Sequence, residues 1–185
     1  MGVLTLLASA AVNAPKGRYP LPPACYAPDH VDRAHLLARL DRAWQDLLGS
    51  YAALTEAQLT EPGVTGDWSV RDIIAHVSTW EREALTHVPQ TAAGERAPRY
   101  STTYGGIDAF NALRTEQKRT LSLAAVLVQR DEIHGQVVEL VRRLPTEQIA
   151  TETRCRRRLR LDTYGHYVVH ARAIRAWRQP YESPK

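Results

Sequence analysis

Trp68-Ser69-Val70-Arg71-Asp72-Ile73-Ile74-Ala75-His76-Val77-Ser78-Thr79-Trp80-Glu81 opens a helix and decides which way it faces. Ser69 is a hydroxyl N-cap, and Asp72, three residues on, is placed to return a hydrogen bond to it, a relative of the Ser-x-x-Glu capping box with the shorter acid. Trp68 stands just outside the cap, where it folds back against Ile73. From this start the helix is expected to run to about His87. At 100° per residue His76, Thr79, Trp80 and Glu83 share one face, whereas Glu81 lies off it and is expected to face solvent or cap a neighbour.

The segments on either side repeat the helical period. Before it, Leu36, Leu37, Leu40, Trp44, Leu47, Leu48 and Tyr51 recur at intervals of three and four, which predicts a first helix beginning near Val31 and packing as one wall of a bundle. Leu54 to Leu59 predicts a short helical turn before Pro62 and Gly63 break the chain. After it, Pro89 to Tyr104 reads as a long crossover, with Tyr100 and Tyr104 available to roof a pocket or to pin the loop. Gly105 and Gly106 admit a further piece from Ile107 to about Arg119, with Ile107, Phe110, Asn111 and Leu113 near its inner side. Ser122 caps a third long helix running to Leu144, with Val126, Ile133, Val137, Leu140 and Val141 inward. The last helix is expected to begin near Leu161, with Asp162, His166, His170, Ala173 and Trp177 in one stripe.

A chain of 185 residues, 44% hydrophobic and 24% charged, is enough for one domain with a substantial core. The expectation is an all-α four-helix bundle over residues 31–180, with short extra helices. No run of eighteen apolar residues is present to cross a membrane, and a reducing cytoplasm is the default reading for a chain whose two cysteines, Cys25 and Cys155, lack disulfide or zinc-finger spacing. Residues 1–30 stand apart: Ala8-Ser9-Ala10 resembles a signal-peptidase site, but no Lys or Arg precedes the apolar run, and Pro15, Pro20, Pro22, Pro23 and Pro28 predict an extended or disordered arm. The net charge of +4 is concentrated at Arg154, Arg156, Arg157, Arg158 and Arg160. That run has no interleaved aromatics for base stacking, so it is read as a solvated loop or the start of a helix and not as a specific nucleic-acid site.

Three histidines carry the chemistry. His166 and His170 are spaced i, i+4, so both imidazoles leave one face about one turn apart. A bundle can bring His76 across to complete three nitrogen ligands, leaving positions open for water or substrate. Three neutral imidazoles suit Zn, Ni, Fe or Mn; bound water would then act as nucleophile at neutral pH, or a thiol cosubstrate would be activated by losing its proton. Glu83 or Asp162 would orient a ligand histidine or serve as general base. The bland alternative is that each histidine is a core residue bonded to a carbonyl. His30, His35, His87 and His134 fit no such pattern and are read as surface residues. Trp44, Trp68, Trp80 and Trp177 read as core or pocket wall, with Trp80, Tyr104 and Trp177 the candidates to line a pocket.

At this point the residues resemble a family. Gly66-Asp67-Trp68-Ser69-Val70-Arg71-Asp72-Ile73-Ile74-Ala75-His76 followed by Trp80-Glu81 resembles the second-helix signature of the DinB superfamily, and within it the ClbS/DfsB branch. Thr163-Tyr164-Gly165-His166-Tyr167, then His170, Ile174 and Trp177, resembles the last helix of the same branch. The resemblance covers Val31 to Arg178. It implies an up-down-down-up bundle of DinB/YfiT type with a long crossover between the second and third long helices, and a divalent metal held by the matching positions His76, His166 and His170. Superfamily activities include transfer of low-molecular-weight thiols such as mycothiol or bacillithiol and thiol-dependent isomerisation. The branch includes self-resistance proteins that hydrolyse a cyclopropane warhead, some of them without the histidines. This chain departs from the pattern at Asp162, where relatives often carry Asn, at Gly165, where a charged residue is usual, and between Pro145 and Leu161, where it is shorter and arginine-rich.

Two functions follow from these readings. One is a metal-dependent hydrolase or thiol transferase acting on a small electrophilic or thiol-conjugated molecule, in detoxification or self-resistance. The other is a resistance protein that binds or opens a metabolite between the helices without essential metal. A homodimer is compatible with either, with the arginine run as a candidate part of its interface.

Overall fold

A computed structural model describes residues 33–150 and 153–182; the reading of the proline-rich arm falls outside them. The described chain is helical: α1 (Arg33–Tyr51), α2 (Glu56–Thr60), α3 (Val70–Ala92), α4 (Tyr100–Thr103), α5 (Ile107–Lys118), α6 (Leu123–Arg143), α7 (Thr146–Ile149), α8 (Arg154–Asp162) and α9 (Tyr164–Glu182). The long helices α1, α3, α6 and α9 form the bundle.

Cross-helix contacts fix their directions. Arg33 reaches the carbonyl of Leu144 while Arg130 bonds the Tyr51 hydroxyl, so α1 and α6 run antiparallel. Arg71 bonds the carbonyl of Leu121 and Glu81 pairs with His134, so α3 and α6 run the same way. Arg39 lies over Tyr164 and Arg178 bonds the carbonyl of Ser50, which makes α1 and α9 parallel. The order is up-down-down-up, as the resemblance implies, with the connection from α3 to α6 as the crossover.

Local chemistry sets the ends of α3. The Ser69 hydroxyl accepts from the Asp72 amide at 3.2 Å, and the Asp72 carboxylate accepts from the Ser69 amide at 3.0 Å, closing the capping box read from the sequence. The helix runs five residues past His87, with Pro89 inside it, and ends at Ala92. The crossover is correspondingly shorter than expected and contains α4. Every residue from Ile73 to Glu81 is buried, because α3 is central: α6, α9, α8 and α5 cover it from different sides. The first helix buries Leu36, Leu40, Trp44, Leu47 and Tyr51 as its period predicts.

Two details differ from expectation for packing reasons. In α5 only Phe110 is buried, while Ile107 and Leu113 are exposed. This helix lies on the outside of α3, held by the Trp80 indole N–H on Asn111 Oδ1 (3.1 Å), the Lys118 ammonium on the carbonyl of Ala75 (2.8 Å) and Arg71 at its C-terminal carbonyls, so a single apolar stripe is all it can bury. The arginine run is a separate helix, α8, capped by the Thr153 hydroxyl and anchored by buried Cys155 and Leu159. Arg156 is buried with it and donates to the carbonyl of Ile149 at 2.8 Å.

The chain breaks at Thr163 (φ −131°, ψ −111°) and restarts at once as α9. Gly165 permits this: a Cβ there would lie 2.6 Å from the backbone oxygen of Arg160. Since a carbonyl of the preceding helix cannot step aside cheaply, Gly165→Ala is expected to cost about 1–3 kcal/mol. Urea denaturation checks it, and unchanged stability would show that the two helices do not approach this closely.

Candidate metal centre

The break at Thr163 turns the first two turns of α9 toward the middle of α3. His166 Nε2 lies 3.1 Å from His76 Nε2 and 2.8 Å from His170 Nε2. The three residues each offer a ring nitrogen, all within 4.8 Å of one another. Trp68, positioned by the turn that pairs Thr65 with Trp68, packs its ring 4.8 Å from that of His76. Trp80 closes another side, with ring centres 6.3 Å from His76 and 6.0 Å from His166.

The donor set fits a divalent cation. His166 Nε2 faces two other Nε2 atoms, and one proton cannot satisfy both contacts in every tautomer; moreover the buried His166 Nδ1 has no hydrogen-bond partner among the described residues. Convergent lone pairs without protons between them are stabilised by a metal ion, whose bonds to nitrogen of about 2.0–2.1 Å suit ligands this close together. Burial holds all three rings neutral. It lowers His76 to about 3, with His170 and Lys118 adding to the effect, His170 to about 4, and His166 well below its ordinary value, where His170 and His76 contribute too. Neutral imidazole is the form that binds metal.

The same burial predicts a pH dependence. The folded protein excludes protons that the unfolded histidines take up below about 6.5, so stability is intact above that pH and is lost progressively as pH falls toward the folded values. At pH 5 the loss for His76 alone is about 2 kcal/mol relative to pH 7. Thermal melts of metal-free protein should show this decline, and it should shrink in His76→Gln. A melting temperature equal at pH 7 and pH 5 would contradict the buried neutral triad.

The two carboxylates expected beside the triad have other partners. Glu83 accepts from the Tyr100 hydroxyl at 2.6 Å and pairs with His87 Nε2 at 3.1 Å. Asp162 ends α8 instead of sharing the stripe of α9, and it pairs with Arg158. Burial raises Asp162 to about 7 against the opposing pull of Arg158, with Glu83 adding to the rise. Arg158 also donates to the Tyr100 hydroxyl at 2.8 Å, so Glu83, Tyr100, Arg158 and Asp162 form one hydrogen-bonded chain. Among the described residues no hydrogen bond joins Glu83 or Asp162 to the three histidines, and the second nitrogen of His166, Nδ1, has no partner. The cause is axial distance: Glu83 is two turns beyond His76, roughly 10 Å along the axis, and the break removes Asp162 from the helix that carries the pair.

Of the aromatic candidates, Trp80 is beside the triad. Tyr104 is one layer removed, packed on Phe110 and Tyr100 at 5.0 and 5.9 Å. Trp177 is partly buried against the core, over the turn at Gly63, two turns past His170.

Glu81 is the main correction. It is fully buried, and its Oε1 accepts from the Tyr167 hydroxyl and from His134 Nδ1 at 2.9 Å. His134 is stacked flat on Trp44, with ring centres 3.7 Å apart. Neither His134 nor His87 is the surface residue expected, because each pairs with a carboxylate of α3. A signal was present: from Ile73 to Trp80 every residue except His76 is apolar or small, on all sides of the helix, which marks a central helix whose next acid lies inside.

A bundle of this topology with three histidines converging from its second and fourth long helices defines a class of helical proteins built around a prospective metal site. The sequence profile of the DinB superfamily matches residues 39–172, and the chain belongs to that superfamily. Three solved structures share the fold. One is an uncharacterised protein from Escherichia coli UTI89 (15% identity, covering 83% of this chain and 96% of that one, TM-score 0.69). Another is the colibactin self-resistance protein ClbS, solved in complex with a dsDNA (16%, 80% and 96%, 0.68). The third is described as Sibling Lethal Factor Precursor, DfsB (15%, 83% and 99%, 0.69). No curated protein matches the sequence. No helix among the described residues is long and apolar enough to cross a membrane.

Proposed function

We propose that the protein is a metal-dependent enzyme of the DinB superfamily acting on a small electrophilic or thiol-conjugated molecule, in detoxification or self-resistance. The convergence of three neutral imidazoles on one point, His76 buried and His166 and His170 half-buried, carries this reading. A divalent ion held by His76, His166 and His170 would supply Lewis acidity, the chemistry that activates water or a thiol at neutral pH.

The chain's own residues do the rest. His76, His166 and His170 hold the ion without competing protons, because burial keeps them neutral through the physiological range. Trp68 and Trp80 shield two sides from solvent and offer flat apolar surfaces to a substrate. Beyond Trp80, Tyr100 is fixed between Glu83 and Arg158, so its hydroxyl is already engaged and its ring serves as wall. Asp162, with its carboxyl raised to about 7 by burial, changes charge near neutrality, and through its pairing with Arg158 it sets the orientation of that guanidinium without touching a ligand.

Screening metal-loaded protein against a panel of thiols with epoxide, cyclopropane and haloalkane electrophiles tests the proposal. Turnover should depend on added metal and disappear in His170→Ala. The fold shared with ClbS and DfsB favours a second reading, a self-resistance protein that sequesters or opens a metabolite without metal. Activity or tight metabolite binding that survives in His166→Ala/His170→Ala would establish that reading instead.

A further inference from the structure

The arginine-rich helix builds a site that the metal centre does not use. Residues 154, 157, 158 and 161 form one stripe of α8, and that stripe faces the segment following α3 across a groove of about 320 Å³. Arg96 stands on the far wall. Four guanidinium groups therefore meet Glu95 as the one acid of the lining, and Leu161, 63% exposed, gives the groove an apolar floor. Among the described residues no carboxylate pairs with Arg96, Arg154 or Arg157, unlike Arg175, Arg142 and Arg119, which are held by Asp46, Glu139 and Glu116. Other exposed arginines such as Arg42 and Arg172 also lack such a partner but stand singly, whereas these three are gathered in one concavity. Unpaired positive charge gathered in a concavity is complementary to an oxyanion.

Arg158 connects this groove to the histidines. It is held by Asp162 and Tyr100, so its orientation is set before any ligand arrives. Its guanidinium carbon lies 6.0 Å from the centre of the Trp80 ring, whose neighbours include His76 and His166 as well as Tyr100 and Phe110. We propose that the groove between α8 and the segment after α3 binds the anionic end, a phosphate or paired carboxylates, of a small molecule whose other end reaches past Trp80 toward the histidines. The second half of that statement rests on the metal-centre reading; the anion site does not. The groove suits a small anion better than a nucleic-acid backbone, since Glu95 on its wall would repel a phosphate at the next position and Leu161 offers nothing to a sugar-phosphate chain.

Isothermal titration of the full chain at low salt, with tripolyphosphate in one arm and citrate in the other, tests the site and separates phosphate from carboxylate preference. At least one should bind, and Arg154→Gln/Arg157→Gln should weaken it at least tenfold, as should Arg96→Gln/Arg157→Gln. These side chains are exposed, so both variants should melt as the parent does. Binding to metal-free protein should be unchanged in His166→Ala/His170→Ala, which keeps this test independent of the enzyme reading. Failure of both anions to bind, or equal affinity in both arginine variants, would overturn the proposal. So would a short DNA duplex binding where neither small anion does, which would assign the arginines to an extended nucleic-acid surface.

Discussion

Protein purified without an affinity tag and supplied with zinc, nickel or manganese is expected to take up one divalent ion per chain and to melt about 5–10 °C higher in its presence. The shift follows from linkage: an ion that binds only the folded state at a hundred times its dissociation constant contributes about 2.7 kcal/mol, and a chain of this size gains about 2–4 °C per kcal/mol. The three imidazoles are already neutral and already face one another, so binding displaces no protons from them and orders little. His166→Ala should abolish both the stoichiometric uptake and the metal-dependent shift, because His166 Nε2 is the atom that approaches both other rings. Elemental analysis and paired melts with and without metal are the measurements. If no metal of the three binds in stoichiometric amount, the triad is a cluster of neutral imidazoles packed edge to face and the metal reading is wrong.

A second large effect is expected away from that centre. His134→Ala should destabilise the fold by about 3–5 kcal/mol, since it removes a partner from a carboxylate that has no access to water. Glu81 would keep only the Tyr167 hydroxyl, and its Oε2 is already without a partner among the described residues. Loss of the flat stack on Trp44 adds to the cost. A double-mutant cycle isolates the polar part: in a Glu81→Leu background the same His134→Ala change should cost at least 1 kcal/mol less, within the range seen for coupled buried groups. Additive urea-denaturation energies would show that the pair contributes nothing beyond packing.

The legibility of each part depended on the range of the forces that shape it. Helix α3 was readable because its cap and its period are local: Ser69 and Asp72 act within one turn of the start. Spacing supplied the pair His166 and His170, and the family resemblance joined His76 to it. Glu81 was misplaced because a helical wheel assumes one buried face, whereas α3 is covered on several sides by helices distant in sequence. Asp162 was misplaced because the period was carried through Thr163, where the chain turns. The glycine two residues later looked like a flaw in the last helix and is the residue that lets α9 start against α8.

By itself the sequence determined an all-α bundle, its caps, the inward stripes of α1 and α6, and the histidine pair spaced one turn apart, since backbone hydrogen bonding and hydrophobic period act over three or four residues. Only the tertiary structure decided that Nε2 atoms from α3 and α9 converge, that Glu81 lies sealed between Tyr167 and His134, and that Arg158 links an arginine-lined groove to Trp80. Each of these depends on where a helix break and a central position bring side chains together across the bundle, and no local period encodes that.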